Sequence, residues 1–184
     1  MSNNIDKNST EQELVAGCIN QERQYQELLY QRYADQMYTI CLSYAPSEEA
    51  ACDILQEGFI KVFRKIDQFQ ATSSLHSWIR KIVVNTALDH YRKQKRQAEK
   101  IDSYQQLNVN NTMVNNVLDQ ISVKELIKLV NQLPSKAAMV LKLYAVEGYA
   151  HKEIAEKLNI TEGTSKSQLH RARTLLKKLL SNQR

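Results

Sequence analysis

The sequence predicts an all-α chain: two small helical domains joined by a linker, the second a four-helix unit that ends in a helix-turn-helix. Three observations carry this reading. Apolar residues recur at spacings of three and four through most of the 184 residues, only four Gly and two Pro interrupt them, and alternating β-branched runs are absent. The domains are expected over 11–96 and 117–182, with 97–116 as the linker. A hydrophobic content of 42% is enough to give each half a core.

Taken in order, residues 1–10 are polar and expected to fray. From Glu11 the pattern is helical, with Leu14, Val15 and Cys18 in one stripe and Tyr25, Leu28, Leu29, Tyr33, Met37, Tyr38, Ile40, Cys41 and Tyr44 in a longer one. The tyrosines fit amphipathic packing better than a cofactor site. Pro46 ends this run, and Ser47 or a neighbour caps the next helix. Over 48–66, Ala51, Ile54, Leu55, Phe59, Val62, Phe63 and Ile66 form the inward stripe, leaving Asp53, Gln56, Glu57, Ile60, Lys61 and Arg64 outside. A polar connection over 67–74 leads into a helix from Leu75 to about Arg96. Leu75, Trp78, Ile79, Ile82, Val83, Ala87, Leu88 and Tyr91 make its apolar stripe. Arg80, Lys81, Asn85, Asp89, Arg92, Lys93, Lys95 and Arg96 make its polar one.

The stretch 97–116 holds five Asn and three Gln and keeps no stripe, which is the composition of a linker. Helix resumes over 117–133, Pro134 and Ser135 start another, and Gly148 is placed to close it. Residues 151–158 form a short helix with Ile154, Ala155 and Leu158 on one face. After the turn 159–161, the last helix gathers Leu169, Ala172, Leu175, Leu176, Leu179 and Leu180 on one side. Lys166, Ser167, His170, Arg171, Arg173, Thr174, Lys177 and Lys178 lie on the other. Residues 164–184 carry six Lys or Arg and no Asp or Glu, a face suited to phosphates, although a solvated basic face is the plainer alternative. Helix, tight turn and basic helix together fit a DNA-reading helix-turn-helix, with Lys166, Gln168 and Arg171 towards base edges and Arg173, Lys177 and Lys178 towards the backbone.

Charge is distributed unevenly along the chain. Residues 1–77 carry six basic and eleven acidic groups, 78–100 seven and two, and 147–184 eight and four, within a net charge of +5. Two basic blocks behind an acidic section imply two nucleic-acid contacts and a protein-facing amino-terminal part. Asp53 and Glu57 are one turn apart, but no His or third carboxylate joins them in the sequence pattern, so a docking face with Ile60 as its apolar anchor is favoured over catalysis. Trp78 and Tyr91 beside cations are the ingredients of a melted-strand surface, and Trp78 serves equally well as core. Cys18, Cys41 and Cys52 lack metal-ligand spacing and His76, His90, His151 and His170 are scattered, so free thiols in a reducing cytosol, no metal and no cofactor are expected. No leader pattern and no membrane-length apolar run is present, which points to a cytoplasmic protein.

Several motifs together resemble one family. Residues 53–59 (DILQEGF), 73–79 (SSLHSWI) and 85–93 (NTALDHYRK), followed by Leu133-Pro134, Glu147-Gly148, 153–158 (EIAEKL), 161–164 (TEGT) and 170–173 (HRAR), match in order and spacing the bacterial sigma factors of the extracytoplasmic function group. The resemblance covers about residues 12–182. It implies a non-enzymatic promoter-specificity subunit of RNA polymerase, working on the nucleoid when in holoenzyme. Asp53, Gln56, Glu57 and Phe59, with Ile60, would then dock on the polymerase clamp. Residues 69–74 with Phe69, Ser73 and Ser74, together with Trp78, Arg80, Lys81, Asn85, Asp89, Arg92 and Lys93, would recognise and melt the minus-ten element by capturing a flipped base. Lys166, Ser167, Gln168, His170, Arg171, Arg173 and Lys177 would read the minus-thirty-five duplex. An anti-sigma factor is a further partner that the resemblance admits. Ser165 departs from the family, which usually has an apolar residue there, and looser packing at the first turn of the helix is expected; Gln168 stands where Arg is frequent. An autonomous regulator that uses only the last two helices leaves the docking helix and first basic block unexplained. A nuclease would need a carboxylate cluster or an activated nucleophile, and a protein-only adaptor would not need the second basic face.

Overall fold

The computed structural model describes residues 9–102 and 128–181, with the side chains of 98–102 excepted. Every regular element among them is a helix, and the chain divides into two compact units, one reaching Arg96 and the other starting at Gln97. The first holds α1 (Glu11–Ile19), α2 (Arg23–Tyr44), α3 (Glu48–Lys65), a 3-10 turn (Ile66–Gln68) and most of α4 (Leu75–Asp102). The second holds α5 (Ser135–Ala145), α6 (His151–Leu158) and α7 (Glu162–Ser181).

Local chemistry sets the helix boundaries. Thr10 and Glu13 form a reciprocal capping box at the start of α1: the Thr10 hydroxyl accepts from the Glu13 amide, and the Glu13 carboxylate accepts from the Thr10 amide at 2.8 Å. Gln21, at φ 60°, takes the left-handed conformation that turns the chain from α1 into α2. Helix α2 stops two residues short of Pro46, and Ser47 accepts from the Ala50 amide at 3.3 Å to cap α3, as expected. Glu48 and Glu49 in the first turn of α3 and Arg64 and Lys65 in its last both complement the helix dipole. The basic helix α4 runs to Asp102, six residues past its expected end and into the stretch read as linker. The remainder of that stretch, and the expected helix up to residue 127, lie outside the described residues; 128–131 are helical.

The core of the first unit draws on all four helices, with Leu14, Leu29, Met37, Ile54, Leu75 and Ile79 fully buried. Each such side chain contributes about 2 kcal/mol on removal from water. Between α3 and α4, a Cβ placed on Gly58 would lie 3.1 Å from the Val83 side chain, so the glycine permits the close approach of these two helices.

In the second unit Val130, Leu133, Ala137, Ala138 and Ala172 form a cluster, with Leu141, Leu175, Leu176 and Leu179 packed around it. Gly148, at φ 74°, completes the turn after α5, where the Tyr149 amide donates to the Leu143 carbonyl at 3.0 Å. Asn159, at φ 52°, turns α6 towards α7, and Thr161 accepts from the Thr164 amide at 3.1 Å. This cap starts the last helix at Glu162, directly after the turn 159–161.

Candidate nucleic-acid interface

Helix α3 presents Asp53, Gln56 and Ile60 outward, and Ile60 is 49% exposed. Phe59 is different: at 3% exposure it belongs to the core, where its ring meets Tyr30 edge-on at 4.7 Å and Phe63 at 6.1 Å. It supports the outward face from below and is not itself available to a partner, because the inward stripe of α3 includes it. Glu57 lies on the flank of α3 that faces α4. Its carboxylate meets His90 at 2.6 Å and Lys61 at 2.7 Å, correcting the expectation that no His joins this acidic pair. No group of three or more potential metal ligands forms among the described residues.

The connection 69–74 carries a strained residue, Ala71 at φ 54°, a conformation that costs a non-glycine residue about 1–2 kcal/mol. Phe69 sets its ring edge-on against Trp78 at 5.6 Å, and both rings are half-buried. Ser74 caps α4: its hydroxyl accepts from the Ser77 amide at 3.2 Å and lies 2.9 Å from the Ser77 hydroxyl, so it is committed to the fold. Ser73 is exposed and borders a cavity of about 430 Å³ between this connection and α1. Val15, Ala16, Ile19, Phe69 and Ala71 line it together with the polar residues Thr10, Glu11 and Gln12. In the sequence, α1 shows only a packing stripe. Glu11 shows more, because one carboxylate oxygen accepts from the Leu75 amide at 3.2 Å, an orphan donor at the start of α4. The other accepts from the Tyr33 hydroxyl at 3.2 Å. A partner 64 residues away in sequence leaves no local signature.

Along α4, Lys81 and Lys93 are exposed and Arg80, Asn85 and Arg92 are half-buried. Asp89 stands among them, paired with Arg92 and 3.5 Å from the Lys61 amine. The stripe is therefore cationic with one internal anion.

On α7, Lys166, His170, Arg173 and Lys177 share one exposed flank, and Ser167, Arg171, Thr174 and Lys178 share the other. Gln168 is half-buried on the far edge from Lys166, about 160° around the helix, so these two side chains diverge. Lys166 pairs with Glu162 at 2.8 Å, an interaction that holds the Glu162 carboxyl below its usual range. The Arg173 guanidinium stands 5.6 Å from the Tyr144 ring centroid, and Tyr144 stacks on His151 at 4.8 Å. His151 in turn hydrogen-bonds Ser165, Nδ1 to Oγ, at 2.9 Å. Ser165 is 0% exposed, so the first turn is not loosely packed as expected: a polar pair occupies the place of an apolar contact. Arg171 is exposed at the middle of its flank.

Two helical units, the second a helix-turn-helix with a cationic second helix, define a DNA-binding protein of modular build. Residues 29–97 match Sigma-70 region 2, and residues 124–176 match Sigma-70 region 4. The ECF RNA polymerase sigma-E factors of Salmonella typhimurium and Escherichia coli are 30% identical over 178 residues, covering 89% of this chain and 91% of theirs. That of Haemophilus influenzae is 27% identical over 177 residues, covering 91% and 93%. Among solved structures, the sigma factor RpoE of Bartonella quintana, in complex with the anti-sigma factor NepR, shares the fold at a TM-score of 0.54 and 21% identity, covering 86% of this chain and 98% of that one. CnrH, in complex with the cytosolic domain of CnrY, does so at 0.51 and 18%, covering 97% and 100%. The chain belongs to the ECF group of sigma-70 RNA polymerase sigma factors, which are transcription initiation factors. No described helix is long and apolar enough to cross a membrane.

Proposed function

We propose that this chain joins core RNA polymerase, selects promoters by two DNA elements, and opens the duplex at the nearer one. The outward face of α3, with Asp53, Gln56 and Ile60 and with Glu57 at its flank, docks on the polymerase. Residues 69–74 and the cationic stripe of α4 take the minus-ten element, and the exposed flanks of α7 take the minus-thirty-five duplex. The observation that carries this reading is the presence of two separately folded cationic helices, one beside an apolar cavity and a strained connection, the other in a helix-turn-helix.

Melting has a physical basis in the first unit. An unstacked base loses a few kcal/mol of stacking, which burial against Phe69, Ala71 and Val15 offsets while Lys81, Arg92 and Lys93 neutralise the displaced strand. The second unit binds intact duplex, where Arg171 and its neighbours have base edges and phosphates within reach. The chain itself carries out no reaction; it directs the polymerase it joins. The resemblance of the fold to a sigma factor solved with an anti-sigma factor supports regulation by a protein partner of that kind.

Permanganate probing of unpaired thymines on a promoter bound by the reconstituted holoenzyme tests the melting step. Reactive thymines in the minus-ten region with the wild-type chain, reduced at least tenfold by the double variant Arg92→Ala, Lys93→Ala with duplex binding retained, is the expected pattern. Equal reactivity with both proteins would remove the α4 stripe from strand opening.

A further inference from the structure

We infer that Gln12 is a specificity-determining residue of the minus-ten site, its side-chain amide reading the edge of a nucleobase held between α1 and residues 69–74. This rests on the base-capture reading above and adds to it a polar group of α1 that reads the edge of the captured base.

The cavity separates the two things a base needs. Its walls are apolar, supplied by Val15, Ala16 and Ile19 on one side and Phe69 and Ala71 on the other, and suit the flat faces of an aromatic ring. Discrimination between bases requires donors and acceptors in the lining, because each base edge presents its own pattern of these groups. Four polar side chains are available there: Thr10, Glu11, Gln12 and Ser73.

Two are already engaged. The Thr10 hydroxyl accepts from the Glu13 amide at 3.2 Å and donates to the Glu13 carboxylate at 3.1 Å. Both oxygens of Glu11 are occupied, one by the Leu75 amide and one by the Tyr33 hydroxyl. Glu11 is thus a positioning residue: it ties the start of α4 to α2 and fixes the end of the connection that bears Ala71 and Ser73. A carboxylate would also repel nearby phosphates and can only accept hydrogen bonds. The Ser73 hydroxyl has one donor on a short stem.

Gln12 remains. Its amide offers a donor pair and an acceptor side by side, the complement of a base edge, and is neutral beside the sugar-phosphate chain. It is exposed in the first turn of α1, and among the described residues its amide has no hydrogen-bond partner. Nothing in the packing of α1 requires glutamine at this position, since the inward face is carried by Leu14, Gly17 and Cys18.

The test uses holoenzyme assembled from the full chain and promoter duplexes whose minus-ten stretch is randomised, with transcripts counted per template. Gln12→Leu removes the amide's hydrogen bonds, and Phe69→Leu removes a ring from the cavity wall. The expected result is a loss of about tenfold in base discrimination at a single minus-ten position for Gln12→Leu, with core association and the minus-thirty-five preference unchanged. A general loss of transcription without change of preference would make Gln12 structural and overturn the inference. Wild-type preference for Gln12→Leu at every position, with Phe69→Leu altered at one, would overturn it while leaving base capture intact. Wild-type minus-ten preference for both variants would overturn the base-capture reading as well.

Discussion

Glu57 of α3 and His90 of α4 meet at 2.6 Å, Oε2 to Nε2, while Lys61 holds the other carboxylate oxygen at 2.7 Å. Lys61 reaches on to Asp89, and Asp89 to Arg92, so an ionic chain runs from the flank of α3 to the cationic stripe of α4. Lys61 first and His90 second hold the Glu57 carboxyl below its usual range. The charged form is therefore favoured by folding, and its contribution is full above the ordinary carboxylate pKa and lost as pH falls through the lowered value. The carboxylate is half-exposed, so a double-mutant cycle of Glu57→Gln and His90→Ala in urea unfolding should give a coupling of only about 0.5–1 kcal/mol at pH 6. In acid the coupling should vanish; one that persists there would assign the contact to packing.

Docking is tested at two positions of different kind. Glu57→Lys inverts a charge within the ionic chain, and Asp53→Lys inverts one at an exposed site. Both should lower affinity for core polymerase at least tenfold while duplex binding to a minus-thirty-five probe stays within twofold. If only Glu57→Lys weakens assembly, the ionic chain and not the outward face governs it.

Arg171→Ala should weaken binding to promoter duplex by about 1–3 kcal/mol if the guanidinium reads a base. Fluorescence anisotropy on cognate and scrambled minus-thirty-five duplexes separates the cases. Equal losses on both would assign Arg171 to the phosphate backbone.

Ser165 and His151 form a polar pair in a place where a family member usually carries an apolar residue. His151→Leu leaves a fully buried hydroxyl without its partner and should destabilise the second unit by about 1–3 kcal/mol. Adding Ser165→Val removes the orphaned group, and the double variant should recover much of that loss in thermal unfolding. Strictly additive effects would show that the two side chains are not coupled.

Lys142 is 9% exposed and donates to Asn131 at 2.9 Å, and burial pushes its ammonium down to about 8. Below that pH it is charged in both folded and unfolded chains, and its desolvation is a full cost to the fold. Between about 8 and the unfolded value of 10.5 the native state releases a proton that the unfolded chain keeps, so stability rises with pH. Lys142→Met should therefore stabilise the second unit at pH 7 by about 1–3 kcal/mol, and urea unfolding should show that advantage shrinking towards pH 10. A pH-independent difference would contradict the assignment.

Helix types and inward stripes were legible because burial imposes a 3.6-residue period on local sequence: Ser47, Pro46 and Gly148 mark their boundaries through chemistry confined to a few neighbours. The end of α4 was not, since polar residues after Arg96 are as compatible with a solvated helix as with a linker. The contribution of Glu11, the His90 contact to Glu57 and the Ser165 pair were equally hidden. Each joins residues distant in sequence, and none is encoded in any window that periodicity examines. Phe59 shows the converse, where a family motif and an inward stripe named the same residue and the stripe determines where its ring lies.

Co-purification of the full chain with bacterial core RNA polymerase, followed by transcription of a genomic fragment library with and without it, tests the central claim most directly. Stoichiometric association together with new, defined start sites sharing two upstream elements is the predicted result. Binding to DNA without association with polymerase, and no new start sites, would contradict the account.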